Sequence, residues 1–233
     1  MTKSLDAARA PSAHLSTSVE DYLKAIYHLT ETGEAASTNA IAQRLGLAAP
    51  SVTGMVKRLA EQGLVRHERY RGAELTTKGR RAALRTVRRH RVLEAYLVAF
   101  LGYDWGKVHD EAEKLEHAVS DDLIERMAQA LGNPSVDPHG DPIPAPDGSI
   151  AEVVYISLTD LPVGPATVRR VQAEDPERLR YLALVGLVPG AQVTVVDHQP
   201  FAGPVTVRVG AEIKVIGREI GDLVLCQQSS AAR

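Results

Sequence analysis

The apolar residues of this 233-residue chain follow two periods, and the switch between them constrains the fold more than any other feature. Up to about Leu131 they recur at helical spacing; from Val153 onward they alternate, as on strands with one buried face. Five of the 13 prolines, at positions 134, 138, 142, 144 and 146, separate the two regimes, with Gly140 and Gly148 beside them. Such a stretch reads as a linker or an extended surface loop. The expected plan is a mainly helical first half followed by a small barrel of about 75 residues, without internal repeats.

In the helical half, an amino-terminal tail expected to be disordered precedes Thr17-Ser18-Val19-Glu20-Asp21, a capping hydroxyl before first-turn acids, and Tyr22, Ile26 and Leu29 continue a helix that Gly33 ends. Ser37-Thr38-Asn39 caps a short helix, Ala40 to Leu45, which Gly46 stops. Pro50 opens a third helix whose apolar face is Val52, Met55, Val56 and Leu59. Two short helices joined by a glycine turn form a helix-turn-helix, and Leu64 to Arg69 with Ala73 to Thr76 reads as a hairpin wing behind it. Thr77 caps a long helix to Leu101, and one further helix is expected from about Lys107 to Leu131. Strands are expected at 153–158, 166–171, 192–196, 205–209 and 213–215, with one helix at 176–185.

Net charge is only −2, so any nucleic-acid role rests on segregated charge. From Lys57 to Arg91 there are twelve Lys or Arg against three acids, and from Asp104 to Arg126 eight acids against three bases. Ser51, Thr53, Lys57 and Arg58 lie opposite the apolar face of the third helix, and the wing adds Arg66, Arg69 and Arg71. Hydroxyls near a helix start suit contacts in the major groove, and arginines suit counterion-releasing contacts to phosphates. A solvated basic helix is the plain alternative, and for Arg85, Arg88 and Arg89 so is helix solubility or a subunit interface. Gly54 offers the groove no side chain.

In the acidic stretch, His109, Glu113, Glu116 and His117 stand at offsets 0, 4, 7 and 8, within an arc of about 100° on one helix. His90 and Glu94 repeat the i, i+4 spacing on the preceding helix, and an antiparallel return through Gly102 would face them toward His109; Asp21 is a further candidate. Carboxylates and imidazoles without sulfur suit a hard or borderline divalent ion such as Mn²⁺ or Fe²⁺. A solvated acidic face is the alternative, and Asp110, Glu111, Asp121 and Asp122 are read as ordinary surface acids. The single cysteine, Cys226, allows no intrachain disulfide, no apolar run approaches the ~20 residues that span a bilayer, and Met1 to Ser16 is unlike a signal peptide, so a cytoplasmic protein is expected.

From about Ser18 to Leu225 the chain resembles the diphtheria-toxin-repressor family of iron- and manganese-dependent transcriptional regulators, in its three-domain branch. The resemblance is carried by Glu20-Asp21-Tyr22-Leu23 with Ile26-Tyr27, the helix-turn-helix from Ile41 to Leu59, Arg89-His90-Arg91, Lys107-Val108-His109-Asp110-Glu111-Ala112 with Glu116-His117, and Pro138-His139-Gly140 with Pro142-Ile143-Pro144. It implies an α+β fold: an N-terminal winged helix-turn-helix over residues 1–84, a helical dimerisation and metal-binding domain with the Pro-rich linker over 85–150, and a small C-terminal SH3-like β-barrel, akin to iron-transport accessory domains, over 151–233. It further implies a primary metal site on Asp21, Glu113, Glu116 and His117 and a second on His90, Glu94 and His109, completed by water or by a residue of the SH3-like domain. Glu174, Asp175 and Glu177 are the candidates there.

Iron-dependent members carry Met where this chain has Asp21 and Cys where it has Glu113, whereas the manganese-type ligand set matches at both positions, although Lys24 stands where some manganese regulators carry a carboxylate. The implied function is a manganese-dependent repressor that binds operator DNA as a metal-loaded homodimer and controls metal-homeostasis genes, without a membrane or a small organic ligand as partner. Three alternatives stay open: an iron-responsive regulator of the same family, a regulator with an organic effector, and a metal-dependent hydrolase using Glu111 or Glu113 as base. The hydrolase lacks a companion nucleophile or a His-Glu-x-x-His motif.

Overall fold

Capping side chains set most helix starts. Ser16 accepts a hydrogen bond from the Val19 amide and opens α1 (Thr17–Leu29), one residue before the expected cap, and Ser37 accepts from the Ala40 amide and opens α2 (Thr38–Leu45). Gly46, at a φ of 64°, closes α2 in the left-handed conformation that only glycine adopts at little cost. In α3 (Ala49–Glu61) no side chain caps the start, and Pro50 sits in the first turn. This computed structural model describes residues 15–31, 33–68, 71–151, 153–173 and 175–229; the expected disordered tail, Arg69 and Glu174 lie outside them.

The chain divides into two compact units, Met1–Ala83 and Leu84–Arg233. In the first, β1 (Val65–Glu68) and β2 (Gly72–Leu75) pair antiparallel as the wing, Val65 opposite Leu75. Leu23 and Ile26 of α1, Ile41 of α2, and Val52, Val56 and Leu59 of α3 are fully buried, each side chain contributing about 1.5–3 kcal/mol. The result is the expected winged helix-turn-helix. The long α4 (Thr77–Leu101) runs through the division between the units. Its cap is Thr76, whose hydroxyl accepts from the Gly79 amide at 3.1 Å, and not Thr77.

In the second unit the single helix expected over 107–131 is two, α5 (Val108–Leu115) and α6 (Asp121–Ala130). The break is local chemistry: the Ser120 hydroxyl accepts from the Leu123 amide and starts a new helix ahead of Asp121 and Asp122. Val92 and Leu93 of α4, Ala112 of α5, and Ile124 and Ala128 of α6 form one buried cluster. The proline-rich stretch is not a solvated linker. Val136 bridges Pro142, and Asp137 and His139 are buried.

Beyond it lie β3 (Ile156–Ser157), β4 (Gly164–Val171), α7 (Pro176–Val185), β5 (Gln192–His198), β6 (Val205–Val209), β7 (Glu212–Ile216), α8 (Arg218–Gly221) and β8 (Val224–Gln228). The strands form one antiparallel sheet in the order β3-β8-β4-β5-β6-β7. Its end strands do not pair, so the SH3-like barrel is an open one. Leu158, Val168, Val195, Val207 and Cys226 fill its inner face with Leu179 and Leu182 of α7. Among the described residues no helix is long and apolar enough to cross a membrane.

Candidate metal centre and nucleic-acid interface

In the first unit, Ser51, Lys57 and Arg58 are exposed on α3, on the side away from buried Val52, Val56 and Leu59. Thr53 is half-buried and spends its hydroxyl proton within the helix, on the Ala49 carbonyl at 3.0 Å. It keeps only acceptor capacity toward DNA. On the wing, Arg71 pairs with Glu68 at 3.2 Å and Arg66 with Glu74 at 3.7 Å, all four side chains exposed. Such pairs add little stability and exchange readily for phosphate. Asp21 lies half-buried on α1, in this unit.

The second unit uses part of the basic run internally. Arg85 and Arg89 both bind Asp121, Arg89 at 3.1 Å, and Arg88 grips Glu125 at 2.8 Å and the Pro144 carbonyl at 2.7 Å. Burial raises the Asp121 carboxyl, but the two guanidiniums outweigh it and hold the group below its ordinary range. Asp121 is therefore no ordinary surface acid: it joins α6 to α4. Asp122 pairs with Arg126 and Glu111 with Lys114, as surface acids do.

The predicted donors gather around His90. Its Nδ1 lies 2.6 Å from Glu116 Oε2, and its Nε2 lies 3.0 Å from both Glu94 Oε1 and His109 Nδ1. His109 Nδ1 approaches Glu94 Oε1 to 3.4 Å, and its Nε2 is 3.9 Å from Glu113 Oε1. Donor atoms of His90, His109 and Glu113 all fall within 4.8 Å of one another. Glu113, placed by the resemblance with Glu116 and His117, thus also comes within reach of the second set. Glu116 ends α5 as its C-cap, still with helical dihedrals and its amide bonded to the Ala112 carbonyl, and His117 follows in the turn before α6. Glu116 is fully buried, with His117 Nε2 3.4 Å from its Oε1.

A donor that sequence reasoning missed comes from the proline-rich stretch. His139 Nδ1 lies 3.9 Å from Glu94 Oε2, and donor atoms of Glu94, Asp137 and His139, all buried, converge within 4.8 Å. Burial pushes the Glu94 carboxyl up, yet hydrogen bonds from His109, His139 and His90 hold it well below the usual carboxylate range. Asp137 goes the other way: burial, Asp141 and Glu94 push it up to about 7 against Arg91 and His139. Of the residues expected to complete the site from the SH3-like domain, Asp175 caps α7 by accepting from the Glu177 and Arg178 amides, Glu177 is exposed, and Glu174 lies outside the described residues. The only signal for His139 was its place in the Pro138-His139-Gly140 motif.

Buried carboxylates that meet imidazoles, with oxygen and nitrogen as the only donors, fit a divalent ion of hard or borderline character. Together with a winged helix-turn-helix unit, such a donor set defines a metal-responsive DNA-binding regulator. Three family models match the chain: the iron dependent repressor N-terminal DNA binding domain over residues 14–73, the iron dependent repressor metal binding and dimerisation domain over 76–145, and the FeoA domain over 156–228. The iron-dependent repressor IdeR of Mycobacterium leprae is 37% identical over 218 residues, covering 88% of this chain and 94% of that protein. A solved manganese-dependent transcriptional repressor, in complex with manganese, is 40% identical at a TM-score of 0.84, covering 91% of this chain and all of that one. The manganese regulator SloR is 33% identical at a TM-score of 0.74, covering 91% of this chain and 98% of its own. The chain belongs to the iron-dependent repressor family that includes IdeR and the diphtheria toxin repressor. It is a metal-dependent transcriptional repressor, and the family's members are not enzymes, which sets the hydrolase aside.

Proposed function

We propose that this repressor responds to Mn²⁺ in the cytoplasm, binds a palindromic operator as a homodimer, and controls genes of metal homeostasis. The observation that carries the reading is the sulfur-free donor set. Asp21 and Glu113 occupy the two positions where thioether and thiolate would favour softer ions, and the single cysteine is buried inside the sheet. The division into residues 1–84 for DNA, 85–150 for dimerisation and metal, and 151–233 for the SH3-like domain follows the resemblance. An iron-responsive reading keeps the support of iron-dependent relatives, among them one at 37% identity.

Two sites are proposed. Asp21, Glu113, Glu116 and His117 form the first. His90, Glu94 and His109 form the second, joined by His139 from the proline-rich stretch. A divalent ion supplies positive charge around which carboxylates of two units share one position. Without it Asp21 repels Glu116, and the heads lose the fixed spacing that two half-sites require. Ser51, Thr53, Lys57, Arg58, Arg69 and Arg71 then meet DNA. His90 touches Glu116 through one nitrogen and Glu94 through the other, so it holds the first-site carboxylate in place while serving the second. In a mobility-shift assay, Mn²⁺ should tighten operator binding, and Glu116→Ala or His117→Ala should remove that gain. Binding that chelator leaves unchanged would defeat the reading.

A further inference from the structure

Trp105, between α4 and α5, is the chain's single tryptophan and belongs to neither donor set. Its indole N–H donates to the Pro138 carbonyl at 2.8 Å, and its own carbonyl lies 3.0 Å from His139 Nε2. The two rings are 5.1 Å apart, inclined by 36°. Trp105 also packs against the buried core of the six-stranded sheet. A carbonyl only accepts, so this contact places the ring proton of a neutral His139 on Nε2. Nδ1 is then the nitrogen that faces Glu94 at 3.9 Å, paired with that carboxylate while the ring is protonated and open to a metal ion once the proton leaves.

The same short segment is pinned to the sheet. The Val171 amide of β4 donates to the His139 carbonyl at 2.8 Å. Gly140, at a φ of 87°, lies so close to β4 that a Cβ there would come within 1.9 Å of the Arg169 carbonyl. Asp141 pairs with Arg170 at 2.5 Å.

We propose that Trp105 is a positioning residue: it sets the tautomer and aim of His139 as a metal donor and ties occupancy of that site to the seating of the SH3-like domain. This rests on the reading of Glu94 and His139 as donors. Partners that orient a ligating imidazole typically change metal affinity by about 10–100-fold when lost. A domain that bonds to the same segment thereby gains a stake in the site beyond any ligand of its own.

The test uses the full-length protein with Mn²⁺ alone as probe. Trp105 emission should change saturably as Mn²⁺ is added, also in Glu116→Ala, and should not respond in His139→Ala. Trp105→Phe keeps an aromatic ring but loses the N–H to Pro138. By calorimetry it should bind Mn²⁺ about tenfold more weakly at the second site and unchanged at the first, and nitrogen NMR of the metal-free variant, at a pH high enough to keep the ring neutral, should show the His139 Nε2–H tautomer of the wild type giving way to a mixture. If His139→Ala keeps both sites at wild-type affinity, the donor reading falls and the proposal with it. If His139→Ala loses the second site while Trp105→Phe keeps wild-type affinity and tautomer, the donor reading stands and the positioning role is overturned. A lowered melting temperature in Trp105→Phe with affinity and tautomer intact would likewise mark mere packing and overturn it.

Discussion

Replacing Arg91 with methionine removes one of the α4 cations that fasten the proline-rich stretch, leaving Arg88 on the Pro144 carbonyl. The guanidinium donates to the Pro142 carbonyl at 2.6 Å and to Asp141 at 3.2 Å, and stands 3.7 Å from Asp137. Methionine keeps most of the apolar stem. Stripping one partner from a buried ion pair costs about 3–5 kcal/mol when the other is left charged, but here the damage is partly relieved. Asp141 keeps Arg170, and Asp137, already pushed up to about 7, takes a proton. What remains is a charge-assisted bond of about 1.5–3 kcal/mol to Pro142 and some further rise at Asp137, or about 2–4 kcal/mol in all. For a unit of this size that lowers the melting temperature by about 4–16 °C. Near-ultraviolet circular dichroism reads the melt, and hydrogen exchange at the Asp137 and Ile143 amides, which bond within the stretch, reads the local loosening. A raised carboxyl binds its proton in the folded state, so the penalty is smallest near pH 6. It grows as pH rises through 7, where only the wild type offers ionised Asp137 the Arg91 guanidinium. A melt within about 2 °C of wild type with unaltered exchange would refute the argument.

Glu113→Cys should move preference toward Fe²⁺, Co²⁺ and Zn²⁺ relative to Mn²⁺ in competition titrations, because thiolate favours the softer ions more steeply; the same order in both proteins contradicts this. Arg71→Ala should lower the slope of log affinity against log salt by about one unit, since its exposed pairing with Glu68 is readily given up; an unchanged slope places Arg71 off the phosphates. Asp121→Asn tests the clamp between α6 and α4. The wild-type carboxyl is held low by Arg85 and Arg89 against burial, so its stabilising effect is full above the unfolded value near 4 and disappears as pH falls through the folded value. Urea midpoints of the two proteins should differ at pH 7 and converge in acid; a constant gap rules the pair out as its source.

Helices with a strong cap and an unbroken apolar face were legible in the sequence: α4 spans Thr77–Leu101 and α7 spans Pro176–Val185, as expected from periodicity. The break at Ser120 carried its own signal, a capping residue before two acids, which an uninterrupted apolar period masked. β8 escaped notice because its alternation is three residues long, Val224 and Cys226 inward around Leu225. The donors on α4 and α5 were readable because helical spacing is local. His139 was not, since its burial depends on Gly140 meeting β4 and on Trp105, contacts between residues about 30 apart in sequence or more. Composition alone made that stretch a linker. Arg85, Arg88 and Arg89 likewise counted toward a DNA-binding charge until α6 supplied their acids.

The central claim is that Mn²⁺ and operator DNA bind the same state of the protein, and linkage makes it measurable from the metal side. Whatever factor Mn²⁺ adds to DNA affinity, DNA must add to Mn²⁺ affinity. Calorimetric titration of Mn²⁺ into the full-length protein, alone and saturated with a palindromic duplex selected from a random pool, reads that factor directly. The account predicts metal binding at least about tenfold tighter on DNA, with the gain lost in Asp21→Asn. Equal Mn²⁺ affinity with and without the duplex would contradict it.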